Sequence, residues 1–483
     1  MTPHPPEPRT AARLSRLTRA TYGFGSVSEG IKIAAFNTFL LFYFNQVLGL
    51  SGTLSGIAIF LALCVDAATD PLVGSLSDNL HHRYGRRHPF MYASALPLGV
   101  SFWLLFTPPD GIGEYGLFAW FLTFAVLVRA SYTLYSIPSN AMSAELTEDY
   151  DERTTLVTWR WLFAMLGGGI FSQVAYRVFF VSTEAGVDGR LNADAYSNFA
   201  VSGALAMALA IVACTAGTHR LIPSLHTPPV ASPFSLRRFK TEFTEVFGNR
   251  SYRMLVIGSL FSSVAGGFTG VVGLYVNTYF WDLSAVEIAN LGIFMIIAVV
   301  LGLGLARPVT SAFGKRRVAV ALSTFGIFFG PLLIYLRLLD LLPPNGHPAI
   351  LPLIIIHAVI IATVVIIIGI AIGSMIADSV DENELVTGKR QEGLFASAIA
   401  FTTKATSGIG GLLAGTALDL IEFPTQAASA SVPPEKLFAL GFAVGPVEML
   451  LYLLSLFFLR NYRLTRARHT EILQELAERK RSE

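Results

Sequence analysis

Asp66-Ala67-Ala68-Thr69-Asp70-Pro71 stands in the middle of a long apolar stretch, and its reading decides how the rest of the chain is understood. A charged side chain at the centre of a bilayer costs roughly 2.5–3.5 kcal/mol on insertion scales, so two carboxylates there require a cation, a proton or a partner. At positions i and i+4 of a helix, Asp66 and Asp70 project from one face and can converge on one ion. Pro71 has no N–H, so the Ala67 carbonyl loses its helical donor and remains free between the two acids as a further oxygen. Hard cations favour such oxygens, and two adjacent acids can alternatively share a proton. Asp66 and Asp70 are therefore the expected cation site, and metal ligands if the ion is Na⁺.

The surrounding composition agrees with a membrane setting. Of 483 residues, 53% are hydrophobic and only 14% charged, whereas a soluble domain carries about 25% charged residues. Twelve apolar stretches, the first centred near Phe36 and the last near Leu450, are long enough to cross a core that about 20 helical residues span. Period-two alternation is absent, which argues against a membrane β-barrel. Basic residues gather before the first stretch (Arg9, Arg13, Arg16, Arg19) and after the second, sixth, eighth, tenth and twelfth, for example Arg86 and Arg87, Arg237, Arg238 and Lys240, and Lys389 and Arg390. Lys and Arg stay on the cytoplasmic side, so both termini are expected there, in an inner or plasma membrane. The net charge of +2 is distributed along membrane edges and gives no reason to expect a nucleic-acid partner. Cys64 and Cys214 both fall in apolar stretches and read as packing residues.

The longest polar interval, 218–250, separates six stretches from six. Each half repeats one local signal. The second stretch runs into Pro71 and then Gly85-Arg86-Arg87; the eighth runs into Pro308 and then Gly314-Lys315-Arg316-Arg317. Six-span repeats mark two-bundle secondary transporters, whose substrates bind at mid-membrane between the bundles. The expected organisation is a six-helix bundle over 1–217, a cytoplasmic loop over 218–250, a second bundle over 251–460 and a tail over 461–483. No G-x-x-x-x-G-K-[ST] motif occurs, so a nucleotide-driven pump is unsupported, and no H-E-x-x-H or G-x-S-x-G suggests an enzyme. Energy then comes from an ion gradient, with no cofactor beyond the coupling ion, Na⁺ or H⁺.

Asp66 through Asp78, followed by Gly85-Arg86-Arg87-His88-Pro89, resembles the major facilitator superfamily, and more narrowly its glycoside-pentoside-hexuronide:cation symporters, the group of the melibiose permease. Tyr22-Gly23-Phe24-Gly25, the stretch Ala377-Asp378 to Glu384, Gly388 to Gly393, and Lys404 agree with it in order along the chain. The resemblance implies an all-α membrane protein of twelve transmembrane helices in two six-helix bundles, the major facilitator fold, with Asp66 and Asp70 as coupling-cation ligands. It also implies that the two sugar-binding carboxylates of the melibiose permease correspond to Gly30 and Ser136 here, so paired carboxylate recognition of a galactoside is not available at those points. Arg160 and Lys404 match polar positions of the group. Animal lysolipid symporters also belong to its wider circle.

The remaining polar residues of the spans give the candidate substrate contacts. Glu29 and Lys32, at i and i+3, could pair with each other or meet a solute. Arg129, Tyr132, Ser136 and Asn140 recur at helical spacing and give the fourth span one polar face. Arg160 and Lys404 add positive charge, so a solute bearing an anionic group, such as a hexuronide or a lysolipid phosphate, is expected. Asp78, Arg86, Arg87, Asp378, Asp381 and Glu384 form a candidate cytoplasmic gate, able to pair between bundles in the outward-open state. The functional expectation is a monomeric, cation-coupled symporter of a sugar, glycoside or hexuronide, with lysophospholipid symport as the alternative and a non-transporting assembly factor or sensor of the same fold as the rival.

Overall fold

The computed structural model describes residues 14–147, 149–182, 188–225, 247–388, 392–428 and 431–482. Of the basic residues invoked for topology, Arg9, Arg13, Arg237, Arg238, Lys240, Lys389 and Arg390 lie outside the described residues. Twelve helical spans follow one another. The first, α1 (16–47), is interrupted: Arg16–Phe24 and Val27–Ala34 are α-helical, and wider π turns occupy Ala35–Phe39 and Tyr43–Val47. Then come α2 (Gly52–Asn79), α3 (His88–Leu105), α4 (Gly113–Leu146), α5 (Tyr150–Val174, continued by a π turn over Ala175–Phe179) and α6 (Ala193–His219). The second half comprises α7 (Arg250–Tyr275, with a π turn over Val276–Phe280), α8 (Ala285–Phe313), α9 (Lys315–Phe329 and Leu332–Leu338), α10 (Ile350–Thr387), α11 (Glu392–Leu420) and α12 (Pro434–Arg460).

Local sequence sets the helix ends. Ser51, Asp149, Asn192 and Asn249 each accept a backbone N–H in the first turn of the helix that follows, and Ser284 with Glu287 forms a capping box at the start of α8. Such caps satisfy N–H groups that have no partner inside the helix. Pro71, Pro97, Pro138, Pro308 and Pro446 lie within spans that nevertheless stay helical, as membrane helices tolerate when neighbours supply the missing contacts.

The repeat read from the sequence is present in the packing. In the first half α1 packs on α5 and α6, α4 on α2 and α3, and α3 on α6; in the second half α7 packs on α11 and α12, α10 on α8 and α9, and α9 on α12. Adding six to each label of the first set gives the second. The two bundles meet along α2 and α11, along α1 and α7, and where the end of α5 touches α8. Chain order places both termini at one end of the molecule, called here the terminal end, and the α1–α2 turn at the opposite, far end.

The segment read as a tail is helical over most of its length. Arg466–Ser482 forms a thirteenth helix, α13, that packs on α10. Ile472 and Leu476 are buried there in one apolar cluster with Leu255, Met375 and Leu459, while Arg468, Glu471 and Glu475 stay exposed and pair with one another. An amphipathic period, hidden behind a highly charged composition, makes the segment part of the second bundle.

Candidate functional site

α2 carries the two acids between α11, across the seam, and α4 of its own bundle. Lys404 of α11 lies 2.9 Å from Asp66 and 2.6 Å from Asp70. Arg129 of α4 lies 3.0 Å from Asp66 Oδ2, and the Thr133 hydroxyl, one helical turn further on, donates to Asp66 Oδ1 at 2.9 Å or to Asp70 Oδ1 at 3.1 Å. Asp66 and Asp70 thus converge, as their spacing requires, and two cations neutralise them. The environment is graded: the Asp66 side chain is 2% exposed, that of Asp70 25% and that of Lys404 33%. Asp66 is sealed inside the protein, whereas Asp70 and Lys404 are open on one side.

Close helix approach makes this contact possible. A Cβ at Gly415 of α11 would run into the Gly52 carbonyl of α2, and Gly56 and Gly408 meet the opposing helix with similar closeness. Small residues let membrane helices approach until short side chains and backbone atoms touch. At the top of this seam the Asp419 carboxylate accepts from the Gly52 and Thr53 N–H groups, at 2.8 and 2.7 Å, and so caps α2 from the other bundle with charge opposite to the helix dipole.

The expected substrate residues divide into two groups. Arg129 is engaged by Asp66 and stacks over Phe36, so the fourth-span face contributes it to the acid cluster. Lys32 does not pair with Glu29 among the described residues; its ammonium sits 3.8 Å from the centre of the Tyr132 ring, a cation–π contact that replaces the ion pair. Ser136 is partly exposed and Asn140 exposed on the same helix. Arg160 has only neutral partners among the described residues: Ser26 Oγ at 3.2 Å and Tyr22 OH at 3.3 Å. The break in α1 around Gly25 presents these two groups to it. Near Arg160, the Tyr132 and Tyr135 hydroxyls are buried and make no well-formed hydrogen bond among the described residues, with Glu29 beside the first and Cys214 and Ser139 beside the second. Gly30 faces the backbone of Ala164 and Gly168, where any Cβ would collide, which is a physical reason for the absence of an acid there.

At the terminal end, Arg86 and Arg87 both reach Glu145, at 2.7 and 2.9 Å, and Arg87 also reaches Asp78. Lys315 holds Asp378 at 2.8 Å and His469 of α13 holds Asp381 at 3.0 Å, while Glu384 is buried near the end of α10. These pairs stay within one bundle. The far end is bridged between bundles instead: Tyr275 donates to Asn45, Tyr279 to Gln46, Gln46 to the Pro424 carbonyl and Arg190 to Thr278.

Thr133 and Asp419 escaped the sequence reading. Hydroxyl residues are common on membrane helices, so Thr133 carries no signal beyond its i+4 spacing from Arg129; Asp419 sits at a helix end, where an acid is unremarkable by itself. Glu448, an acid in mid-span on α12, was also passed over, although the same cost of burial that flags Asp66 applies to it.

Comparison with known proteins bears on the family and the fold. An uncharacterized symporter of Synechocystis is 27% identical over 98% of this chain and 98% of its own, and the isoprimeverose transporter of Lactiplantibacillus pentosus is 26% identical over 83% of this chain and 79% of its own. The crystal structure of the nucleoside transporter NupG, 14% identical, superimposes over 93% of this chain and all of that one with a TM-score of 0.61, which supports the fold. The model of the MFS/sugar transport protein family matches residues 21–466, and the chain belongs to that family, in its glycoside-pentoside-hexuronide branch of twelve-helix membrane transporters.

Proposed function

We propose that the protein is a cation-coupled symporter in which Asp66 and Asp70 bind the coupling ion and Arg160 binds an anionic group of a sugar-class solute. The observation that carries this reading is the cluster of Asp66, Asp70 and Thr133 closed by Lys404 across the seam between bundles. Lys404 is an internal counter-ion in this arrangement. A cation entering from the open side of Asp70 replaces its ammonium and finds carboxylate oxygens, the Thr133 hydroxyl and the Ala67 carbonyl that Pro71 leaves free. Such an oxygen set suits Na⁺, which we favour over H⁺. Displaced from the acids, Lys404 is free to approach the solute, so ion and solute stabilise the same conformation and coupling is reciprocal.

Arg160 supports the anionic preference because, among the described residues, its guanidinium bonds only the Ser26 and Tyr22 hydroxyls, with the Tyr132 and Tyr135 hydroxyls nearby to receive or donate further bonds. The bonds across the far end, beside pairs kept within each bundle at the terminal end, suit a state open toward the termini, which basic-residue placement assigns to the cytoplasm. In the opposite state Arg86, Arg87, Asp378, Asp381 and Glu384 are the groups available to close that side.

Uptake into proteoliposomes tests the reading. A sodium gradient is expected to drive accumulation of a hexuronide, and replacing Na⁺ by choline to abolish it while a protonophore leaves it intact. Accumulation insensitive to choline replacement but collapsed by the protonophore would assign the site to H⁺. Uptake of a neutral glycoside undiminished by Arg160→Ala would remove the anionic assignment, and competition by a lysophospholipid in place of the hexuronide would move the solute class.

A further inference from the structure

Glu448 lies on α12, twelve residues from Lys436 toward the far end and twelve from Arg460 at the terminal end. At 1.5 Å per residue those charges are ~18 Å away along the helix. The other cations on the elements packed against α12 also stand near helix ends: Arg250 and Arg253 on α7, Lys315, Arg316, Arg317 and Arg337 on α9. No Lys, Arg or His forms an ion pair with Glu448 among the described residues. Its polar surroundings are hydroxyls. Thr269 of α7 lies beside it, and its Oγ1 is buried and makes no well-formed hydrogen bond. Tyr335 of α9 packs its hydroxyl against Gly445, one turn earlier on the same helix, and Tyr452 stands at i+4. The other titratable residues of these elements are committed or remote: Tyr275 and Tyr279 bond Asn45 and Gln46, Tyr252 bonds the Phe395 carbonyl, and Glu435 lies in the first turn of α12.

A carboxylate in mid-membrane with no cation beside it is relieved most simply by taking up a proton, which converts it to a neutral donor and acceptor that hydroxyls can satisfy. The same hydroxyls can turn to donate when the proton leaves, so the group can ionise without a counter-ion. We propose that Glu448 is a proton-binding site within the second bundle, caged by Thr269, Tyr335 and Tyr452 and separate from the Asp66–Asp70 cluster. It differs from that cluster in having no internal cation to displace and too few carboxylates to hold a metal ion.

Infrared difference spectroscopy of the full-length protein in liposomes tests this directly through the carbonyl stretch of protonated carboxyl groups. Wild-type protein is expected to show a carboxyl band that is lost as pH rises, with the same midpoint in sodium and in choline, and the band is expected to be missing from Glu448→Gln. Thr269→Val removes a donor to the ionised form, so its midpoint is expected to move upward by about one pH unit. A spectrum in which wild type and Glu448→Gln do not differ at any pH would overturn the proposal, as would a Glu448 band that sodium removes.

Discussion

The internal repeat places two equivalent seams between the bundles, α2 against α11 and α5 against α8, and they are built differently. The α2–α11 seam is joined from the far end to mid-depth: the Asp419 cap, the Gly52–Gly415 approach, then Lys404 on Asp66 and Asp70. The α5–α8 seam has polar contacts at the far end, where Gln173 donates to the Ala289 carbonyl and Arg177 to Asn290. Duplicated scaffolding therefore gives one seam held by charge and backbone contact and another held by neutral acceptors. The charged seam is where an ion can alter the energy of bringing the bundles together, since replacing Lys404 at the acids removes a direct link between them.

The comparison breaks most sharply at the acids. Asp70→Asn is expected to abolish uphill accumulation with little loss of stability, because Asp70 is a partly exposed partner of Lys404. Asp66→Asn should abolish accumulation and also destabilise the protein, since it leaves the Arg129 guanidinium, 9% exposed, without its carboxylate; removing one partner of a buried pair costs about 3–5 kcal/mol. Proteoliposome uptake and thermal unfolding of the purified variants separate the two effects, and equal stability of both would show that Arg129 does not depend on Asp66.

Substitution of glycines on α11 and α5 comes next. Gly415→Val forces side-chain atoms onto the Gly52 carbonyl and is expected to reduce uptake severely, whereas Gly169→Ala on α5, where nothing lies within 4 Å of a new Cβ, should leave uptake and stability near wild type. Similar losses in both would show that the close approach at Gly52 and Gly415 is not what the substitution disrupts. Asp419→Asn is a smaller perturbation: it weakens a charged helix cap worth roughly 0.5–2 kcal/mol. In a background with Cys64 and Cys214 replaced by Ser, Ser51→Cys should then react several-fold faster with a membrane-impermeant thiol reagent as the far end opens more often; an unchanged rate would mean that the cap does not hold that end closed. The smallest effect is expected from Thr133→Val, which keeps shape but removes one hydroxyl from the acids, and about fivefold weaker half-saturation by sodium follows from one lost hydrogen bond of ~1 kcal/mol. Unchanged sodium dependence would take Thr133 out of the site.

Legibility in the sequence followed energetic cost. Asp66, Asp70 and Lys404 stood out because ionised groups in lipid demand an explanation, and the six-plus-six repeat stood out because spanning length and basic turns recur. Arg129 was legible as a polar residue of the fourth span, but its partner was not, since helix rotation decides whether a side chain faces a cavity or a neighbouring helix. The break in α1 that brings Tyr22 and Ser26 to Arg160 leaves only Gly23 and Gly25 as a trace, and such glycines equally signal packing. The helical tail was obscured because its charged residues outweigh the few apolar ones, among them Ile472 and Leu476, that bury.

Equilibrium binding of radioactive sodium to the purified protein tests most directly whether the charged seam is the coupling site. Wild type is expected to bind sodium saturably, Asp70→Asn to lose that binding, and Lys404→Gln to bind more tightly because the internal competitor is gone. Saturable sodium binding of equal strength in wild type and Asp70→Asn would contradict the assignment of the coupling ion to α2.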